Sequence, residues 1–205
     1  MMAINAEWKR RANMLFAPLR DMDSSWLPTS LRRNAELLDL AMVSHAARKL
    51  IYKSLPKDDS PADDIGDDVP AWGERHPALQ RELVLRLGAL GCSTEIRRTI
   101  EKDDIVAVRN AIDDESYRAA LARDVPLIED DVRGEYRNAL EADDLRRFIG
   151  AIGLSVLTSA CPGHETVVRL RLRFLFPAKA WETRRAVRLA DREHVIELID
   201  GFSGD

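Results

Sequence analysis

Apolar residues recur at three- and four-residue steps through most of this chain, the spacing that lines one face of an α-helix. The pattern predicts a first helix over 6–16, ended near Pro18, and a turn-rich connection over 21–30, DMDSSWLPTS. Pro28 biases Leu27 towards extended backbone, and Thr29 or Ser30 is placed to cap a second helix over 31–55. Leu37, Leu38, Met42, His45, Leu50 and Ile51 form its stripe, and Pro56 stops it. The stretch 56–71, PKDDSPADDIGDDVPA, holds six aspartates and three prolines and has almost nothing to bury. It predicts a mobile acidic surface loop.

Periodicity resumes at 77–91, where Leu79, Leu83, Leu87 and Leu90 share a face that Val84 and Leu85 widen. Gly91 is suited to the left-handed position that ends a helix. Next comes CSTEIRRTIEKDDIVAVRNAIDDESYRAAL, apolar steps broken by two acidic doublets. Ser93 or Thr94 is expected to cap a helix over 95–101 with Ile96 and Ile100 on one side. Asp103 is expected to cap a second, carrying Ile105, Val106, Val108 and Ile112, and Asp113 a third, with Tyr117, Ala120 and Leu121 inward. Carboxylates at helix N-termini complement the helix dipole, so these acids have a structural task. The acidic segment after Pro126 has no clear form. A strongly apolar helix follows over 145–160, in which Gly150 and Gly153 are placed to let a neighbour pack closely.

Residues 167–177, VVRLRLRFLFP, are ambiguous. Arg169, Arg171 and Arg173 alternate with apolar residues as in a strand, yet Leu170 and Phe174, and Leu172 and Phe176, stand at helical spacing. Helix is favoured by the helical surroundings, with a small strand near 167–176 left open. Helices over 178–190 and 192–200 complete an all-α, multi-helix fold. Residues 1–55 form an N-terminal helical segment, 56–74 an acidic linker and 75–205 the main helical body, together one compact domain.

Composition fits this picture. Of 205 residues, 45 % are hydrophobic and only 6 % aromatic, the profile of a helical protein with material for a core. The 31 basic and 35 acidic side chains leave a net charge of −4, whereas duplex binding normally calls for a basic excess. Two cysteines, Cys92 and Cys161, suggest no disulfide framework and fit a reducing cytosol. The N-terminal stretch lacks a signal-peptide pattern. The most apolar run, 148–161, has fourteen residues interrupted by glycine and polar groups, short of a membrane span.

Candidate chemistry is sparse. His45, His76, His164 and His194 are scattered, without H-x-x-x-H or C-x-x-C spacing, so no metal or cofactor is expected. Cys92 precedes a predicted helix start, a setting that lowers a thiol pKa, although a small buried residue there needs no such role. A catalytic pair of carboxylates is a further option, but the acids cluster at helix starts and in the loop. Residues 88–112 resemble a helix-turn-helix that would present Arg97 and Arg98 to DNA, yet Glu95, Glu101, Asp103 and Asp104 share that surface and would repel phosphates. Docking features remain. Trp26 and Trp72 sit in turn-rich contexts where an aromatic can anchor a partner. Positive charge gathers at Arg169, Arg171, Arg173, Lys179, Arg184, Arg185 and Arg188, and negative charge at 58–68 and 129–144.

Three ordered fragments resemble the SctK family of bacterial type III secretion proteins. RELVLRLGALGCSTEIRRTIEKDDIVAVRNAIDDESYRAALAR resembles its central segment, with the match on Leu87-Gly88, Arg97-Arg98, Val106–Arg109, Ala111-Ile112, Glu115, Tyr117 and Ala120-Leu121. SSWLPTSL at 24–31 resembles its N-terminal W/R-L-P step, and RLRLRFLFP at 169–177 its C-terminal R-L-x-L-R-L-P segment. The resemblance implies a helical, non-enzymatic cytosolic adaptor of the sorting platform. It would join the cytoplasmic domain of the inner-membrane ring protein to the pods of the C-ring-like protein. It would be a monomer in isolation, recruited to the cytoplasmic face of the inner membrane without inserting, and would take neither nucleic acid nor a small-molecule substrate. The expected contact residues are Trp26, Trp72, Arg97, Arg98, Arg169, Arg171 and Arg173; a helical DNA-binding regulator using 88–112 is the alternative.

Overall fold

The computed structural model describes residues 23–26, 76–160, 172, 175–183 and 185–202. The helices expected over 6–16 and 31–55 and the acidic loop over 56–71 lie outside these residues. Among the described residues the regular elements are one 3-10 turn and eight α-helices, with no strand, so the fold is all-α. The chain divides into two compact units, Met1–Pro77 with Gly163–Ala178 and Ala78–Pro162 with Lys179–Asp205.

In the first unit the 3-10 turn Ser24–Trp26 is wound on Asp23, whose carboxylate accepts from the Ser25 N–H at 2.9 Å. The turn is tied to distant sequence: the Trp26 indole donates to the Phe176 carbonyl at 2.7 Å, and the Ser25 hydroxyl accepts from the Ala178 N–H at 2.8 Å. Ala178 opens a helix, so one of the four N–H groups without an intrahelical partner is satisfied from far along the chain. Leu172 and Leu175 are helical and buried.

The second unit is built on α1 (Pro77–Gly91) and α6 (Leu145–Ala160). Leu83, Val84, Leu87, Ile149, Leu154 and Val156 are almost completely buried there. A helix apolar all round belongs at a centre, and α6 buries residues on every face. Glycine sets the approach of the two helices. A Cβ on Gly153 would overlap the Val84 carbonyl oxygen and lie 2.8 Å from its carbon, and one on Gly88 would overlap the Ile149 carbonyl. Gly150, three residues from Gly153, has only Leu85 Cδ2 at 4.0 Å. Close packing therefore falls on Gly153 and Gly88, not on Gly150. Gly91 corrects its expected role too. It is the last residue of α1 without a left-handed backbone, and its Cβ would meet Ile152 Cγ2 at 2.9 Å.

The four helices that follow wrap this pair: α2 (Ser93–Arg98), α3 (Lys102–Ala111), α4 (Asp114–Ala122) and α5 (Arg133–Glu141). Cys92, not Ser93 or Thr94, occupies the start of α2, and its N–H still donates to Gly88 O at 2.9 Å, so α1 bends into α2 without a loop. The α2 helix stops at Thr99, whose backbone is extended and whose hydroxyl donates to Glu95 O at 3.0 Å. This break turns Ile100 outward, 84 % exposed, while Ile96 is buried. Glu101 stands at the N-cap of α3, which corrects the role expected of Asp103; Asp103 and Asp104 lie in the first turn. Of the expected inward faces, Val108, Ile112 and Ala120 are buried, whereas Val106 and Leu121 are exposed.

Asp113 caps α4 as expected. Its carboxylate accepts from the Ser116 N–H at 2.7 Å and from the Ser116 hydroxyl at 2.8 Å. Burial works to raise its pKa, but these hydrogen bonds outweigh it and hold the carboxyl below its usual value. A lowered folded value means stabilisation that is present above the unfolded carboxylate pKa and lost as pH falls through the folded one. Asp113→Ala is expected to cost about 1 kcal/mol at neutral pH. Urea unfolding from neutral pH downward should show that cost in full at pH 7 and a progressive loss of it as the acid range is entered.

The α5–α6 turn was not legible beforehand. Asp143 N–H donates to Leu140 O at 3.2 Å and Asp144 N–H to Ala139 O at 2.9 Å, a Schellman closure with Asp143 at φ 52°. An L side chain is strained there. Asp143→Gly is expected to raise stability by up to about 1 kcal/mol, measured as a higher denaturant midpoint at an unchanged slope.

The helix expected over 178–190 is shorter. Helix α7 covers Ala178–Thr183, and from Arg185 the chain runs extended to Asp191, which caps α8 (Arg192–Asp200) by accepting from the His194 N–H. The extended run makes a single antiparallel bridge, Ile128 to Leu189, through Glu129 N–H to Arg188 O and Ala190 N–H to Leu127 O, both 2.9 Å. Its Arg185 and Val187 N–H groups donate to the Ser155 and Ser159 hydroxyls of α6. Serines on an otherwise apolar helix thus satisfy a backbone that has no sheet partner on that side.

Candidate functional site

A groove of 580 Å³ opens where the α2–α3 junction faces α5. Glu95, Arg98, Thr99, Ile100, Glu101 and Asp104 line one wall, and Arg133, Tyr136, Arg137, Leu140 and Glu141 the other. A second depression of 290 Å³ continues along the other flank of α3, with Asp103, Val106, Ala107, Asn110, Asp143 and Arg146 around it. Leu140 lines both, so the two depressions adjoin at its side chain.

Tyr136 is the floor. It is buried, stands edge-on to Phe148 with centroids 6.4 Å apart, and its hydroxyl lies 3.2 Å from the Thr99 hydroxyl. Burial pushes the phenol pKa up to about 12, and the negative charges of Glu95 and Asp104 add to it; the Thr99 hydroxyl, whose own proton goes to Glu95 O, accepts from the phenol. The group therefore stays a neutral hydrogen-bonding partner that pins the α2–α3 break against α5. Glu95 is shared by Arg98 at 2.8 Å and Arg133 at 3.7 Å. Glu101, Asp103, Asp104, Glu141 and Asp143, in contrast, have no ion-pair partner among the described residues. The groove thus has an arginine end, with Arg98, Arg133 and Arg137, and a carboxylate side along α3 and the end of α5. A smaller cleft between α1 and α8 is closed by Arg86, which pairs with Glu115 and lies 5.6 Å from the Phe202 ring centre.

The contact residues expected from the sequence do not converge. Trp26 is half-buried and engaged with Phe176 within its own unit. Arg97 donates to Asp124 O at 2.9 Å and lies 3.6 Å from its carboxylate, and Arg98 is held by Glu95. Both guanidinium groups of the possible DNA-reading helix are thus engaged internally, and that helix has only six residues. Trp72, Arg169, Arg171 and Arg173 lie outside the described residues. The segregated charge of 129–144 and the C-terminal arginines is partly self-satisfied: Glu135 pairs with Arg185 at 3.0 Å and Glu129 with Arg188 at 4.0 Å.

Cys92 is fully buried, and its thiol is pushed up to about 12, first by burial and then by Glu95. A thiolate nucleophile is not available there. In native protein Cys92 should resist alkylation by iodoacetamide at pH 8 and react fully in urea, as read by peptide mass spectrometry. His76 is exposed, His194 lies 3.1 Å from an Arg123 nitrogen, and Cys161, His45 and His164 are outside the described residues. Among the described residues no group of three potential ligands could hold a metal ion, and no helix is long and apolar enough to cross a membrane. The groove itself was missed from sequence. Its signal was Ile100 next to a helix break, a residue taken there for core. Comparisons with protein-family models, with curated proteins and with solved structures return no match to this chain.

Proposed function

We propose that this chain is a non-enzymatic adaptor of a bacterial type III secretion sorting platform, joining the inner-membrane ring to the C-ring-like pod protein at the cytoplasmic face of the membrane. The observation that carries this reading is the set of three fragments resembling the SctK family, in the family's order. The central fragment spans α1–α4. Several of its matched positions, Leu87, Gly88, Val108, Ala111, Ile112 and Ala120, are buried packing positions, so the resemblance rests on residues that build the helical body. Supporting it, the groups that sequence reasoning offered for chemistry have structural tasks: Cys92 fills the core, Asp113 caps a helix, Arg97 ties α2 to the segment after α4, and Arg98 pairs with Glu95 within α2.

Affinity capture of the full chain from a secretion-competent bacterium, with the bound proteins identified by mass spectrometry, tests the reading. The pod protein and the ring protein's cytoplasmic domain are expected together. Recovery of neither would remove it.

A further inference from the structure

We propose, resting on the adaptor reading, that the groove along α3 receives a basic amphipathic helix of a partner protein, with its apolar stripe on Ile100, Val106 and Leu140 and its lysines or arginines on the surrounding carboxylates. The apolar part is built in. Thr99 is held by Glu95 O at 3.0 Å and by the Tyr136 hydroxyl at 3.2 Å, so the chain turns at a fixed place and Ile100 is presented to solvent at 84 % exposure. Val106, 49 % exposed, follows on the next turns, and half-buried Leu140 joins the two depressions.

Charge complementarity selects the occupant. The helix dipole accounts for Asp103 and Asp104 in the first turn of α3, and α6 follows directly after Asp143 and Asp144. It does not account for Glu141, which sits in the last turn of α5, where a carboxylate is disfavoured and only Arg137, one turn earlier, stands near enough to offset it in part. Glu101, Asp104 and Glu141 line the same mouth, and none of the three has an ion-pair partner among the described residues. Arg98 and Arg133 share the single negative charge of Glu95, and across the two depressions the carboxylates still outnumber the arginines by two. A positive helix laid along α3 would relieve this repulsion while covering the apolar residues. The ten residues of α3 span about 15 Å, room for about three turns of a partner helix.

A photocrosslinking residue in place of Val106, in the full chain expressed in a secretion-competent bacterium, tests the proposal, with Val125 (61 % exposed, in the bend after α4) as the comparison site. The expected result is an adduct from position 106 to a segment of a platform protein with apolar residues at helical spacing and an excess of Lys and Arg. Glu101→Lys, Asp104→Lys and Glu141→Lys combined should reduce that adduct at least tenfold in protein that circular dichroism shows to be folded. If this variant does not fold, the Glu101→Gln, Asp104→Asn, Glu141→Gln form should give a smaller loss in the same direction. Adducts from 125 alone, with platform proteins still captured, would overturn the groove and leave the adaptor reading standing. An adduct from 106 to a second copy of this chain, to a segment without basic residues, or one indifferent to the charge changes would overturn the assigned occupant. Capture of no platform protein from any site would mean that the adaptor reading had failed first.

Discussion

Gly153→Ala is expected to destabilise the second unit by about 3 kcal/mol, whereas Gly150→Ala, three residues earlier in the same helix, is expected to stabilise it by about 0.5–1 kcal/mol. Helix propensity favours alanine equally at both positions, so the difference in sign comes from the neighbour. At 153 the added carbon overlaps the Val84 carbonyl and stands 3.0 Å from Gly88 N. Backbone on a rigid helix cannot move aside as a side-chain tip can, and relief would require α1 to slide off α6. At 150 the nearest atom is the far end of Leu85 at 4.0 Å, an ordinary contact. Chemical denaturation of the two variants beside the parent protein measures both effects. Equal effects at the two positions would mean that α1 and α6 do not meet at Gly88 and Gly153.

Ile96→Ala is expected to cost about 2–5 kcal/mol, and Ile100→Ala less than about 0.5 kcal/mol. The residues are four apart, and an unbroken helix would place them on one face. The break at Thr99 separates them: Ile96 is 1 % exposed under α2 and Ile100 is 84 % exposed at the groove mouth. Emptying the first site leaves a cavity in a packed interior, while shaving the second removes surface already in water. Equilibrium unfolding gives both values. A large loss at 100 would show that the helix runs on and that the groove has no apolar lip.

Elements whose apolar pattern is long and uninterrupted were legible from the residues. The helices over 77–91 and 145–160 carry enough apolar positions that periodicity alone bounds them, and both coincide with α1 and α6. Short helices were harder because their ends depend on one or two hydrogen bonds. Asp113 was recognisable since a carboxylate three residues before Ser116 has a backbone N–H in reach. Ser93 and Asp103 have the same chemistry but sit inside helices begun by Cys92 and Glu101. The stretch RAVRLA, 185–190, falls within the helix expected over 178–190 but runs extended, with Val187 buried and Arg188 exposed. What holds it extended is a bridge to Ile128 and the hydroxyls of Ser155 and Ser159, partners about 30 to 60 residues away that no local pattern announces.

The candidate site was less legible than the fold for a related reason. Charge suggested the arginines as contact residues, but a side chain's freedom depends on its neighbours. Arg97 and Arg98 are held by Asp124 and Glu95, whereas Glu101 and Glu141 are brought to one mouth with no ion-pair partner among the described residues. Only folding decides which charges cancel.

The claim at the centre of this account is that the chain acts by holding two other proteins at once. Its most direct measurement is light scattering coupled to size exclusion on a mixture of the purified full chain, the pod protein and the cytoplasmic domain of the ring protein. The account predicts one complex containing all three, larger than either binary mixture yields. Three separate species at micromolar concentration, with each protein shown to be folded, would contradict it.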